Sequence, residues 1–129
     1  MKKLYLSAIF LVAFLFVVSA ASAAIQLESV TSPSGNPGSS VNVQAVVKNT
    51  DTTKSITVVF TSTALVGPGG SITAPIISNL VVPANSNATR IFAVSVPTLQ
   101  SGDYAGTLQI KDSSDASNTA EKPYAVTTL

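Results

Sequence analysis

Residues 39–51 read SSVNVQAVVKNTD, and this stretch decides the fold class. Apolar residues alternate along it with mostly polar ones: Val41, Val43, Ala45 and Val47 against Asn42, Gln44 and Val46. A period of two places every second side chain on the same face of a β-strand. Residues 48–51 (KNTD) end the run with side chains that favour turns. The stretch predicts the central strand of a two-layer β-sandwich, with Val43 and Val47 in its core.

Further strand-like segments lie on either side of this stretch. Strands are predicted over residues 25–30, 55–63, 71–77, 88–96, 103–111 and 123–129. Pro75 confines the third of these to a sheet edge, because proline cannot donate to a strand ladder. Phe92, Tyr104 and Leu108 are expected to point inward. We expect the rows of Phe92 and of Leu108 both to face residues 39–51 across the sandwich.

Segments rich in turn residues separate these strands. Residues 31–40 (TSPSGNPGSS) and 67–70 (GPGG) are rich in Pro and Gly, which favour loops and turns. Residues 112–119 (DSSDASNT) are interpreted as a polar hairpin loop. About seven short strands in roughly 100 residues, with no helical period after the N-terminus, predict an all-β, immunoglobulin-like two-layer β-sandwich.

The first 24 residues have a different character. A basic start, MKK, precedes a 15-residue apolar run over residues 4–18 and an Ala/Ser-rich tail. This is the three-part pattern of a secretory signal peptide, with Ala21, Ser22 and Ala23 as the cleavage site. The run is shorter than the roughly 20 apolar residues of a spanning helix, although the tail can extend it. We predict a signal-peptide helix over residues 1–24 and a secreted domain over residues 25–129, with a retained membrane anchor as the alternative.

Composition restricts what that domain does. Removing Lys2 and Lys3 from the seven basic residues leaves five against six acidic ones, and these form no basic cluster. Capture of nucleic acid or of anionic lipid is therefore not expected. Without His or Cys, the chain has no Ser-His triad, thiol nucleophile, disulfide or ordinary zinc site. The carboxylates are expected at strand ends and loops, with no pair sharing a cleft, so we predict neither an enzyme nor a cofactor.

Three short segments are candidate sites, and each also has a simple structural explanation. Asp112 and Asp115 belong to an oxygen-rich cluster that offers calcium ligands, but such residues are common at hairpin tips. Asn87 begins the sequence Asn-Ala-Thr and is a candidate glycosylation site on a loop that enters a strand. Leu65 and Val66, beside the glycines of residues 67–70, form either a contact tip for a partner or a cap on the core.

Tyr104 follows Gly102 and Asp103 at the start of a late strand. This position suits the tyrosine corner of β-sandwiches, in which the ring packs and the hydroxyl bonds to nearby backbone. The alternative is an exposed aromatic residue that binds a ligand.

Residues 25–30 (IQLESV) precede a ten-residue loop rich in Pro and Gly. Such a strand either completes its own sheet or is donated to the edge of a neighbouring copy. Donation repeated from head to tail would build an open filament.

Three motifs resemble CARDB-type and related immunoglobulin-like domains of bacterial and archaeal surface proteins. They are residues 37–43 with 46–50 (PGSSVNV, VVKNT), residues 80–86 (LVVPANS) and residues 102–104 (GDY). The likeness spans about residues 26–129, and it departs from the family pattern at Asp51 and Asn85, where glycine is usual. The resemblance implies an extracellular adhesion or spacer module and carries no catalytic residues.

The sequence therefore predicts a secreted or cell-surface, non-enzymatic adhesion, interaction or spacer module. Its expected partner is a protein or a cell-wall carbohydrate, and a membrane is involved only if the N-terminal segment is retained. The alternative is a structural subunit of an extracellular filament or surface layer, assembled by strand exchange through residues 25–30.

Overall fold

A computed structural model describes residues 24–129 of the chain. The predicted signal-peptide helix therefore lies outside the described residues, apart from Ala24, and its cleavage or retention stays a prediction. Within residues 24–129, no helix has the length and apolar character needed to cross a membrane.

The described chain forms ten β-strands in two sheets. They are β1 (Ile25–Val30), β2 (Ser34–Gly35), β3 (Ser40–Asn49), β4 (Ile56–Ser62), β5 (Leu65–Gly67), β6 (Gly70–Ile72), β7 (Leu80–Val82), β8 (Ser86–Ser95), β9 (Gly102–Asp112) and β10 (Asp115–Thr128). One sheet has the order β1-β3-β8. The other has the order β2-β10-β9-β4-β7, with β5 paired to β6 and β9. The all-β sandwich predicted from the sequence is confirmed, with several strands of only two or three residues beyond the seven expected.

The core lies between β3 of the first sheet and β9 of the second. Val43 and Val47 on β3 are fully buried, as are Tyr104 and Leu108 on β9. The alternation in residues 39–51 thus places the apolar face of β3 inward, because every second residue of a strand shares a face. Each fully buried valine of this kind contributes about 1.5–3 kcal/mol of apolar transfer free energy.

Phe92 occupies a different place from the one the sequence predicts. It points inward, but β8 is the neighbour of β3 in the same sheet, and Phe92 is the register partner of Val43. The expectation that the Phe92 row faces β3 is wrong, because alternation along a strand does not identify its neighbour. Phe92 instead reaches across the sandwich to Tyr124, with ring centroids 6.1 Å apart in an edge-to-face arrangement. Burial raises the pKa of the Tyr124 hydroxyl, which shares a 2.6 Å hydrogen bond with the Ser62 hydroxyl.

The segment after β1 is not a free loop. Within it, β2 pairs in parallel with the end of β10. Ser32 Oγ accepts a 3.1 Å hydrogen bond from the Ala125 N–H, and the Pro33 carbonyl accepts one of 3.0 Å from the Thr127 N–H. The chain therefore crosses from one sheet to the other between β1 and β2, a step that the local sequence does not reveal.

The predicted loop over residues 112–119 is also wrong. β9 continues to Asp112 and β10 begins at Asp115, so only two residues form the turn. A register shift between Asp115 and Thr119 absorbs the additional residues as a bulge. Residues 113–117 of this hairpin are exposed, whereas Asp112 and Asn118 are buried, and Asn118 Oδ1 accepts a 3.4 Å hydrogen bond from the Ile25 N–H.

The predicted strand over residues 71–77 is largely irregular. Only β6 (Gly70–Ile72) forms at its start, and regular pairing resumes at β7. Pro75 lies in the interruption, where its missing N–H costs no ladder hydrogen bond. Ile77 is nevertheless buried in the core, whereas Ile76 is fully exposed.

Candidate functional site

Ala24 and Leu129 lie at opposite ends of the sandwich. At one end, called here the entry end, the Ala24 carbonyl accepts hydrogen bonds from the Thr50 N–H at 2.8 Å and the Thr50 hydroxyl at 3.0 Å. At the other end, the Leu129 N–H donates to the Gly35 carbonyl at 3.0 Å. β3 runs between these ends, from Ser40 to Asn49. The N-terminal segment therefore joins the domain at the end opposite to its C-terminus.

The end opposite to the entry carries a cluster of turns, called here the loop end. It consists of residues 36–39, residues 67–70 between β5 and β6, residues 97–101 before β9, and Leu129. The Gly38 N–H donates to the Val96 carbonyl at 3.0 Å, and the Ser101 hydroxyl donates to the Leu129 carbonyl at 3.3 Å. These contacts gather separate turns into one continuous surface.

Tyr104 fixes two of these turns from beneath. Its side chain is fully buried, and its hydroxyl donates a 2.7 Å hydrogen bond to the Gln100 carbonyl. The same hydroxyl accepts a 3.1 Å hydrogen bond from the Gly69 N–H. The ring also lies close under the hairpin, since a Cβ on Gly67 would come within 2.6 Å of Tyr104 Cδ2 and of the Asp103 carbonyl oxygen. The hairpin tip and residues 97–101 are therefore held against each other by one phenol.

Exposed apolar side chains lie at or beside this end. Val66 is 60% exposed, Leu99 41% and Leu129 63%, whereas Leu65 is fully buried. Leu65 and Val66, which the sequence predicted to form either a contact tip or a cap on the core, therefore differ: Leu65 fills the core and Val66 faces solvent. Leu99 and Leu129 were not singled out from the sequence, because their position at or beside this end depends on the fold.

Asp112 and Asp115 use their carboxylates to hold the turns that follow them. Asp112 Oδ1 accepts hydrogen bonds from the Ser114 N–H and hydroxyl, both at 2.9 Å. Asp115 Oδ1 accepts from the Ser117 hydroxyl at 2.6 Å and from the Ser117 N–H at 3.1 Å. These bonds, chiefly the one from the Ser117 hydroxyl, lower the pKa of Asp115. No group of three or more metal-ligating side chains occurs in the described part of the chain, and calcium binding stays a prediction.

Asn87 lies within β8 rather than on the loop predicted from the sequence. The strand begins two residues earlier than expected, because Lys48 and Asn49 of β3 pair with Asn87 and Ser86. The Asn87 side chain is exposed, and its Nδ2 donates a 3.3 Å hydrogen bond to Glu28 Oε2. Glycosylation of Asn87 stays a prediction.

A shallow groove runs beside the last residues of β8. Its volume is about 370 Å³, and it is lined on one side by Ile72, Thr73 and Pro75 and on the other by Ala93, Ser95 and Pro97. It lies at the free edge of β8, since β8 ends the three-stranded sheet.

No protein-family model matches the chain, and no curated protein matches it either. Solved structures do share its fold. A family 123 glycoside hydrolase from Clostridium perfringens matches with a TM-score of 0.60 and 14% identity, over 76% of this chain and 22% of that chain. A PapD-like domain of human CEP192 matches with a TM-score of 0.57 and 16% identity, over 81% of this chain and 83% of that domain. The fold is an immunoglobulin-like β-sandwich. Since this chain spans about a fifth of the hydrolase, the likeness concerns one part of that enzyme and shows the fold alone.

Proposed function

We propose that the protein is a secreted or cell-surface interaction module without catalytic activity, which presents its loop end to a partner. The observation that carries this proposal is the opposite placement of the two ends. The N-terminal segment joins the domain beside Thr50, whereas the turns fixed by Tyr104 lie a full strand length away. Where the N-terminal segment is retained as an anchor, which is the alternative to its cleavage, this placement directs the loop end outward.

Sequence features support the same proposal. The N-terminal segment has the pattern of an export signal, and the absence of His and Cys removes the commonest catalytic groups. The resemblance to CARDB-type domains agrees with an adhesion or spacer role outside the cell. Val66, Leu99 and Leu129 are exposed at or beside the loop end, and exposed apolar side chains near one another favour a protein partner over a carbohydrate. Cell-wall carbohydrate is the second class of partner.

The proposal is tested by comparing three forms of the exported protein: wild type, Leu99→Asp and Val81→Asp. Val81 is 59% exposed but lies on the outer face of β7, so it serves as a matched control. Each form is immobilised and exposed to surface proteins and cell-wall fragments of the source cells. A partner retained by wild type and by the Val81 variant, but lost with Leu99→Asp, supports the loop end. Equal retention by all three forms contradicts it.

Filament assembly by strand exchange is tested separately. In the structure, β1 pairs with β3 of the same chain, and the following segment is bonded to β10. Deleting residues 25–30 should therefore destabilise the domain, and an added IQLESV peptide should restore it in either case. Electron microscopy of the intact protein distinguishes the two: filaments support strand exchange, whereas dispersed particles support the interaction module.

A further inference from the structure

β8 ends its sheet with backbone groups that no strand of the described chain covers. The Val96 N–H donates to the Ser39 carbonyl at 2.8 Å, which fixes the hydrogen-bonded pairs between β3 and β8. In an antiparallel ladder these pairs alternate with pairs whose N–H and C=O groups point away from each other. Gln44 follows this alternation. Its N–H donates to Thr31 Oγ1, on the side of β3 that faces away from β8, and not to Ile91, the residue opposite Gln44 on β8. The residues that direct N–H and C=O groups toward the free edge are therefore Asn87, Thr89, Ile91, Ala93 and Ser95.

This edge has few of the features that prevent strand addition. β8 spans ten residues and its register with β3 is uninterrupted, so no bulge twists it away. It contains neither proline nor lysine, the residues that commonly protect sheet edges. Its charged residue, Arg90, is half-buried and donates a hydrogen bond to the Asn79 carbonyl. The segment after β6 flanks the end of β8, but a groove of about 370 Å³ lies between Ile72, Thr73 and Pro75 and the residues Ala93 and Ser95.

The side chains along this edge are compatible with a second β8 strand. The residues with free backbone groups are all uncharged, so no two facing residues of this row would carry like charges. Ile91 lies at the middle of this row and is 58% exposed. Two antiparallel copies of β8 centred there would place each Ile91 against the other and remove both from water.

We propose that two copies of this chain associate through antiparallel pairing of β8 with β8, about a twofold axis at Ile91. The two three-stranded sheets would then form one continuous sheet across the interface. Each residue with free backbone groups meets another of the same kind: Ile91 with Ile91, Thr89 with Ala93, and Asn87 with Ser95. This register makes about ten main-chain hydrogen bonds, within the usual range for a protein interface.

A second copy fits this edge better than an unrelated strand does. Recognition of a foreign strand depends on pockets for its alternate side chains, and the groove provides one only beside Ala93 and Ser95. The antiparallel arrangement also fixes how the two copies are oriented relative to each other. Because β8 runs from the entry end to the loop end, the two entry ends of the pair would point in opposite directions. Copies attached to two facing surfaces are thus able to pair, which goes beyond presentation of the loop end.

Cross-linking tests the proposed register directly, because the chain has no cysteine. Facing residues of a hydrogen-bonded antiparallel pair have Cα atoms about 5.5 Å apart, which suits a disulfide. Under mild oxidation, Ile91→Cys should form a covalent dimer at micromolar concentration. Val81→Cys, on an edge strand of the other sheet and 59% exposed, is the control and should stay monomeric. Equal cross-linking of both variants would overturn the proposal.

Charge reversal provides an independent test by analytical ultracentrifugation of the exported chain. Ile91→Lys and Ile91→Glu should each weaken self-association by at least about tenfold, because like charges would meet at the axis. An equimolar mixture of the two variants should associate again, while Val81→Lys behaves as wild type. Since Ile91 is exposed, circular dichroism should show unchanged folding. A wild-type protein that is monomeric up to millimolar concentration, or a mixture that fails to associate, rejects β8 pairing.

Discussion

Asn49 shows how a single buried polar residue joins the two sheets. It is fully buried at the end of β3, and its Nδ2 donates to the Lys54 carbonyl at 2.9 Å and the Val82 carbonyl at 3.1 Å. Its Oδ1 accepts from the Asp51 N–H at 2.9 Å. Since Val82 belongs to β7, this amide connects β3 to a strand of the opposite sheet. The sequence predicted a turn here but not the burial, because asparagine is usually exposed.

Replacement of Asn49 is therefore expected to be costly. Asn49→Ala should lower the free energy of unfolding by roughly 2–3 kcal/mol, since it leaves buried carbonyls without donors. For a domain of this size that corresponds to a fall in melting temperature of about 8–20 °C. Asn42→Ala is the control, because Asn42 lies on the same strand but is exposed. Thermal denaturation of both variants checks this, and equal melting temperatures would contradict the role given to Asn49.

Asn85 adopts a backbone conformation that is uncommon for a residue other than glycine. It has a φ of 50°, in the left-handed region that glycine adopts without strain, and asparagine tolerates better than most residues. Gly38 and Gly102 also have positive φ values, of 80° and 139°. Asn85 is thus the one residue other than glycine with a positive φ in the described part of the chain.

The backbone conformation of Asn85 leads to a directional prediction. Asn85→Ala should destabilise the domain by about 1 kcal/mol. The alanine Cβ is strained in the left-handed region, and alanine lacks the polar side chain whose local hydrogen bonds let asparagine adopt it. Asn85→Gly should leave stability within about 0.5 kcal/mol of wild type. Urea denaturation measures both changes, and an alanine variant as stable as the glycine variant would exclude backbone strain as the reason.

At the level of elements, Tyr104 links the β5–β6 hairpin to the loop before β9. Tyr104→Phe removes the hydroxyl that serves both Gly69 and Gln100. We expect a loss of about 1–2 kcal/mol, since each hydrogen bond is worth about 1 kcal/mol net. Amide exchange should become faster at Gly69 and stay unchanged at Val43 in the core. Unchanged protection at Gly69 would show that the hairpin does not depend on this phenol.

The strands could be predicted from the sequence where they carry an apolar face, and not elsewhere. β3, β4, β8 and β9 all alternate clearly, and all lie close to their predicted positions. β2 was missed because its two residues are held by a distant strand, β10, and not by a local pattern. The start of β10 was missed because it is polar, and a strand without a buried face resembles a loop. Local patterns thus identify strands by burial, whereas pairing depends on contacts far apart in the chain.

At the scale of the whole molecule, the fold was predictable but the candidate surface was not. Leu99 and Leu129 stand far apart in sequence from Val66, and only folding places all three at or beside the same end. The free edge of β8 is likewise a property of sheet order, since it exists only because no strand follows β8 in the smaller sheet. Both candidate surfaces therefore depend on how the strands are arranged in space, and no local sequence pattern indicates them.

The opposite placement of the two ends gives the last prediction. The N-terminal side enters beside Thr50 and the C-terminus leaves beside Gly35, separated by the ten-residue β3, which is about 33 Å long. Two copies of residues 25–129, joined from C-terminus to N-terminus by a short linker, should therefore form a rod rather than a folded-back pair. Small-angle X-ray scattering of this fusion, with Ile91→Lys in both copies to suppress β8 pairing, should give about twice the longest dimension of one domain. A longer Gly/Ser linker is the control and should broaden the distribution of distances, because it lets the copies reorient. A fusion no longer than a single domain would show that the ends do not direct successive modules outward, and would remove the geometric basis for a spacer role.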